Sequence, residues 1–151
     1  MDRPVTRHRQ LPLRVERPCH AAWSAMEEGA SKDELARQQA LRHYAQGEQL
    51  LAAHDFAPAL KAFRRAQHMQ EAALVRTPGS AAWHRDLYSS LERVGQVLQF
   101  QTEFAAARDS YRAAVRVGNW LVTHDHPSSA WSRELLTMCR RLRWVSLHLS
   151  E

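Results

Sequence analysis

At 151 residues and a formal net charge of +5, the chain has the size of one domain, enough to build a core without disulfides or metal. Only five glycines stand against many Ala, Leu, Arg, Gln and Glu, a composition that favours helix. No apolar run approaches the ~18 residues of a membrane span, and Cys19 and Cys139 lack metal-ligand spacing, so a transmembrane helix and a cysteine metal centre are both excluded. Two thiols without a secretory leader lead to the expectation of a cytoplasmic protein.

In chain order, residues 1–19 come first, with Pro4, Pro12 and Pro18 among charges, which disfavours helix and predicts an extended basic arm. Arg3, Arg7, Arg9, Arg14 and Arg17 face only Asp2 and Glu16, so this tail carries +3 of the net charge. Residues 20–28 suit a short helix containing Trp23 and ended near Gly29. The expected division is therefore an arm over 1–30 and a helical domain over 31–151. Ser31 and Glu34 form a Ser-x-x-Glu capping box, which predicts a helix start. Five helices of about twenty residues follow, over 32–53, 56–76, 81–101, 104–124 and 129–149. Their breaks fall at His54-Asp55, Thr77-Pro78-Gly79-Ser80, Gln101-Thr102 and Asp125-His126-Pro127-Ser128. Ser80 and Ser128 each precede a Trp by three residues, as N-caps would.

A 48-residue repeat runs through these helices. Gly47, Phe56, Ala59, Phe63 and Ala66 recur as Gly95, Phe104, Ala107, Tyr111 and Ala114. Ser80, Trp83, Asp86 and Leu87 recur as Ser128, Trp131, Glu134 and Leu135. Such a period marks stacked units that bury their apolar faces against neighbours. Gly47 and Gly95 are expected where a second helix comes close. Ala59, Ala66, Ala107 and Ala114 give that helix a narrow face, and Phe63 and Tyr111 are expected to fill the gap toward the next unit. Asp86 and Glu134 read as first-turn residues that complement the helix dipole.

Gly47–Ala59–Phe63–Ala66 and Gly95–Ala107–Tyr111–Ala114 resemble the tetratricopeptide repeat family, in a long 48-residue variant of the usual 34. Leu50 and Leu98 stand at the large position three after each Gly. The family's closing Pro is replaced by Glu71 and Asn119, and His43 departs from the residue matched by Leu91. Trp83-x-x-Asp86-Leu87 and Trp131-x-x-Glu134-Leu135 look like the openings of long-helix bacterial members. The resemblance covers about residues 32–149. It implies an all-α chain: an α-solenoid of about two and a half helix hairpins, built from five long antiparallel helices. It further implies a partner-binding groove lined by Tyr44, Glu48, Leu51, Glu92, Gln96, Gln99, Phe100, Arg140, Trp144 and His148. Family members that clamp a C-terminal carboxylate use Lys and Asn where Tyr44 and Glu48 stand, so a chaperone-tail ligand does not follow.

Catalytic chemistry finds little support. His124-Asp125-His126 offers two imidazoles and a carboxylate, but three neighbours in one turn rarely converge on an ion, and no metal or cofactor is expected. No phosphate loop, nucleophile elbow or His-Glu-x-x-His is present. The last helix carries Trp131, Leu135, Met138, Leu142, Val145 and Leu149 as one stripe, with Leu136, Trp144 and Leu147 away from it. Those three predict an oligomer or partner contact, including a homodimer through the C-terminal helix or a seat for the Trp23 segment. The expected function is a non-catalytic adaptor, chaperone or scaffold holding a peptide or helix from a protein partner. Alternatives are a regulatory module gripping nucleic acid or another polyanion through the Arg-rich arm, and a bacterial secretion chaperone or cognate inhibitor of the immunity type. Nucleic acid is the less expected partner, because no aromatic residue interleaves the arm.

Overall fold

The structure, a computed structural model, describes residues 20–125 and 129–149. It is all-helical there: α1 (His20–Ala52), α2 (Phe56–Arg76), α3 (Ala81–Phe100), α4 (Phe104–His124) and α5 (Ser129–His148). Each helix packs against its neighbours in sequence, and α1 also touches α3. Links of a few residues leave each helix no course but to fold back along the one before it. α3 lies between α2 and α4, which is why Leu87, Tyr88, Leu91, Val94, Val97 and Leu98 are all buried on it. The arm over residues 1–19 and the Ser128 cap lie outside the described residues, as does the Trp23 side chain.

One boundary differs from expectation. Gly29, Ala30 and Ser31 are helical, so α1 runs without a break from His20 and the capping box opens nothing. A box selects a start only where the preceding chain cannot continue a helix. Here the residues before it are mostly good helix formers. A single Gly costs about 1 kcal/mol in a helix, less than nucleating a second helix afresh.

The repeat is written into the packing. Ala59, Phe63, Ala66, Ala107, Tyr111 and Ala114 are all fully buried. A methyl group added to Gly47 would lie 2.6 Å from the Phe63 ring, and one added to Gly95 would lie 2.7 Å from Tyr111 Cδ1. Each aromatic thus lies over the Gly of its own hairpin, and Tyr111 also meets Arg141 of α5. Ser80 caps α3 as expected, its Oγ accepting from the Trp83 N–H at 3.4 Å. Asp86 is the sixth residue of α3, and instead of serving the helix dipole it pairs with Arg37 of α1 at 2.7 Å.

The two hairpin turns are also copies of each other. The Asp55 N–H donates to Leu50 O and the Glu103 N–H to Leu98 O, both at 2.9 Å, closing each helix with a six-to-one bond. This places His54 and Thr102 in the left-handed region, at φ 60° and 62°. A β-branched residue is strained there. Thr102→Gly is therefore expected to raise the stability by about 1 kcal/mol, seen as a higher urea midpoint with an unchanged slope. A midpoint at or below wild type would contradict the strain.

Candidate functional site

α1, α3 and α5 stand side by side along one face, joined by side chains that span from one odd-numbered helix to the next. Arg37 of α1 binds Asp86 of α3. Glu48 of α1 binds Arg93 of α3, with the Arg93 Nε 2.6 Å from Oε1 and Nη2 donating to Oε2 at 3.2 Å. Glu92 of α3 binds Arg141 of α5 at 2.9 Å. The Trp83 indole N–H donates to Asp33 of α1 at 3.1 Å, and the Tyr88 hydroxyl donates to the Glu134 carbonyl of α5 at 3.1 Å. Half-buried pairs of this kind, still open to water on one side, are worth about 1 kcal/mol each, so they set alignment more than stability.

Half of the expected groove residues meet in two clusters on this face. In the first, Arg93 gathers three of them. It holds Glu48, donates to Gln96 Oε1 at 2.8 Å, and interacts with Tyr44. The Tyr44 ring meets Phe63 edge-on at 5.4 Å. Burial, reinforced by the charge on Glu48, pushes the Tyr44 hydroxyl above its ordinary pKa. Burial opposes the charge on Arg93, but Tyr44 and Glu48 more than offset it and hold the guanidinium above its ordinary value. In the second cluster, Gln96, Gln99 and Phe100 line a cavity of about 160 Å³ with Tyr111 and Arg141. Gln99 Oε1 accepts from the Tyr111 hydroxyl at 3.0 Å. Burial raises the Tyr111 pKa, with Arg141 acting against it.

The remaining expected residues fall elsewhere. Leu51 packs half-buried against the core, and Arg140 is exposed outside both clusters. Trp144 and His148 lie 3.8 Å apart, and both rings meet Phe104. Phe56 contacts Phe100 at 5.5 Å, and the repeat-related pair Phe104 and His148 stands at 5.7 Å. Aromatic rings thus line the end of the face where the hairpins turn, with Phe100 53% exposed and Trp144 43%. Leu136 and Leu147, at 60% and 58%, lie open on α5. Leu149 ends outside α5 and is exposed too, so it does not complete the buried stripe.

Two organisers of the face, Arg93 and Arg141, lie outside the expected set. Their signal is present in the sequence: Arg141 stands one repeat period after Arg93, and each reaches back to a Glu on the preceding odd helix. Of the His124-Asp125-His126 turn, His126 lies outside the described residues. The His124 ring stacks on Trp120 at 4.6 Å. Asp125 accepts from Arg85 at 2.8 Å and from the Trp131 indole at 3.1 Å. Among the described residues no three His, Cys, Asp or Glu side chains converge as a metal site would require.

Against known proteins, the chain matches no family model, no curated protein and no solved structure. Its function must be read from the geometry of this face. What the face offers is amide and guanidinium groups between exposed rings, with its ion pairs closed on themselves. Such a surface suits recognition of polar main chain flanked by apolar side chains.

Proposed function

We propose that the protein is a non-catalytic interaction module of tetratricopeptide type, an α-solenoid whose odd-helix face holds a peptide or helix from a protein partner. The observation that carries this reading is the cavity that Gln96, Gln99 and Arg141 line together with Tyr111 and the exposed ring of Phe100. Arg and aromatic residues dominate binding hot spots, and neighbouring side chains that exclude water strengthen their hydrogen bonds. The size and repeat number suit an adaptor, a secretion chaperone or a cognate inhibitor of bacterial type, acting in the cytoplasm.

The test is capture from native lysate with the wild type and with Phe100→Ser and Gln99→Ala side by side. Each variant is expected to lose the principal partner, with affinity falling about tenfold or more for Phe100→Ser. A captured set unchanged by both variants would remove the groove reading. A homodimer through Leu136, Trp144 and Leu147 is a separate possibility for the open face of α5. Molar mass in solution decides it: a dimer that becomes a monomer in Trp144→Glu supports the contact, and a monomer in both forms removes it.

A polyanion reading has one observation behind it besides the arm. Lys61, Arg64, Arg65 and His68 surround a shallow concavity of about 420 Å³ on α2, and no carboxylate pairs with them among the described residues. Binding to nucleic acid that collapses between low and moderate salt, and is lost on deleting residues 1–19, would favour it over the groove.

A further inference from the structure

α5 stands to α3 and α4 as α3 stands to α1 and α2. Its Trp131 meets Tyr88 of α3 edge-on at 5.5 Å, as Trp83 packs on Ala40 of α1 one repeat earlier. In both earlier units the odd helix is covered by the even helix that follows it. Phe63 lies over Gly47 and edge-on to Tyr44, and Tyr111 lies over Gly95 with its hydroxyl on Gln99. One period further on, the same side of α5 carries Leu136, Arg140, Arg143 and Leu147. All four are exposed, and among the described residues no helix covers them.

Arg143 stands where Gly47 and Gly95 admit an aromatic ring, so an even helix of this chain's own kind cannot close on α5. Arg140 stands one turn away, at the place of Tyr44 and Glu92. Neither has a carboxylate within ion-pair distance among the described residues, and nor does the exposed Arg133. The two counterparts of Arg133 are both paired, Arg37 with Asp86 and Arg85 with Asp125. One face of α5 thus presents two leucines three turns apart, with two arginines between them and a third beyond.

We propose that this side of α5 receives an acidic helix from a protein partner, lying where the even helices lie in the first two units. The repeat gives the partner's register. A carboxylate at the position of Phe63 and Tyr111 meets Arg140 and Arg143 together, and arginine pairs with carboxylate through two parallel hydrogen bonds. A second acidic residue fourteen positions later, the spacing of Tyr111 and Asp125, meets Arg133. Apolar side chains on the same face of the partner cover Leu136 and Leu147. A second copy of this chain fits less well. An antiparallel α5 pair that matched Leu136 to Leu147 would set Arg140 against Arg143, and like charges face to face are costly. This surface lies apart from the cavity of Gln96 and Gln99, so its occupation does not depend on the groove.

The experiment is fluorescence anisotropy with the full-length protein at about 150 mM salt, where distant charges are screened. The probe is a labelled synthetic peptide of residues 104–125 carrying Tyr111→Glu, with Arg108→Gln, Arg112→Gln and Arg116→Gln to remove its own basic charges. Saturable binding is expected, at least about tenfold tighter than that of the same peptide carrying Tyr111→Lys. In the protein, Arg140→Glu with Arg143→Glu is expected to reverse that order. Arg64→Glu with Arg65→Glu makes the same change of charge on α2 and should leave the affinity within about twofold. All four arginines are exposed, so both variants should melt within about 2 °C of wild type. No saturable binding of the Glu peptide, equal binding of the two peptides, or equal loss in the α2 and α5 variants would each overturn the proposal. A wild-type dimer that Leu136→Glu makes monomeric would place a second copy on this face and overturn it as well.

Discussion

Gly95→Leu is expected to lower the unfolding free energy by about 3 kcal/mol, a large part of what a domain of this size has to lose. Any side chain at this position projects into the Tyr111 ring, and Tyr111 is itself fully buried, so the ring has nowhere to go. The smaller change Gly95→Ala gains about 1 kcal/mol of helix propensity and loses more than that to the clash. Gly29 makes the matching control within α1. Nothing lies within 4 Å of an added methyl there, so Gly29→Ala should stabilise the protein by up to about 1 kcal/mol. Urea unfolding of the three variants measures both signs in one series. A Gly95→Leu protein as stable as wild type would mean that α3 and α4 do not approach as closely as Tyr111 requires.

Trp83→Ala should cost about 4 kcal/mol, because a large side chain exposed by only 1% leaves a cavity its neighbours cannot close. Trp83 packs with Ala40 of α1 and Ala73 of α2, while its indole N–H reaches Asp33. It therefore ties three helices together at the start of α3. Trp83→Phe separates the two contributions, keeping much of the packing and losing the indole bond at a cost of about 1–2 kcal/mol. A double-mutant cycle with Asp33→Ala should return a coupling of about 1 kcal/mol, and strict additivity would show that the indole bond contributes nothing. Trp131, its counterpart in the next repeat unit, is only half-buried, so Trp131→Ala should cost distinctly less. The sequence presents these two tryptophans as equals, and burial separates them.

The helices were legible because their signals are local. Four of the five match their expected ranges to within a residue at either end, since the turn residues and the apolar spacing act within a few positions of each other. α1 escaped the same reading because a capping box and a Gly are weak stops when good helix formers stand on both sides. The left-handed turn at Thr102 was also missed. A β-branched residue gives no warning of that conformation, which the six-to-one bond from Glu103 to Leu98 imposes.

The candidate face was only half legible. The family resemblance pointed to Tyr44, Glu48, Gln96, Gln99 and Phe100, which do gather in two clusters, while Arg93 and Arg141 stand one repeat apart but their partners could not be read from that offset. Arg93 reaches back to Glu48 and Arg141 to Glu92, a separation in sequence that is one helical turn longer. Positions one turn apart share a helix face, so only the crossing of the helices selects the partner.

The order of residues alone settled where four of the five helices lie, that the chain repeats, and that Gly47 and Gly95 must meet a close neighbour. These follow from periodicity and from the one residue small enough for close approach. Packing in three dimensions selected which charges pair across the odd-numbered helices, and left the Gln70 amide fully buried without a hydrogen-bond partner in the protein. Those outcomes depend on three helices meeting at one point. There Gln70 and Ala40 stand where the second unit has Gly118 and Tyr88, and no local pattern along one helix encodes that meeting.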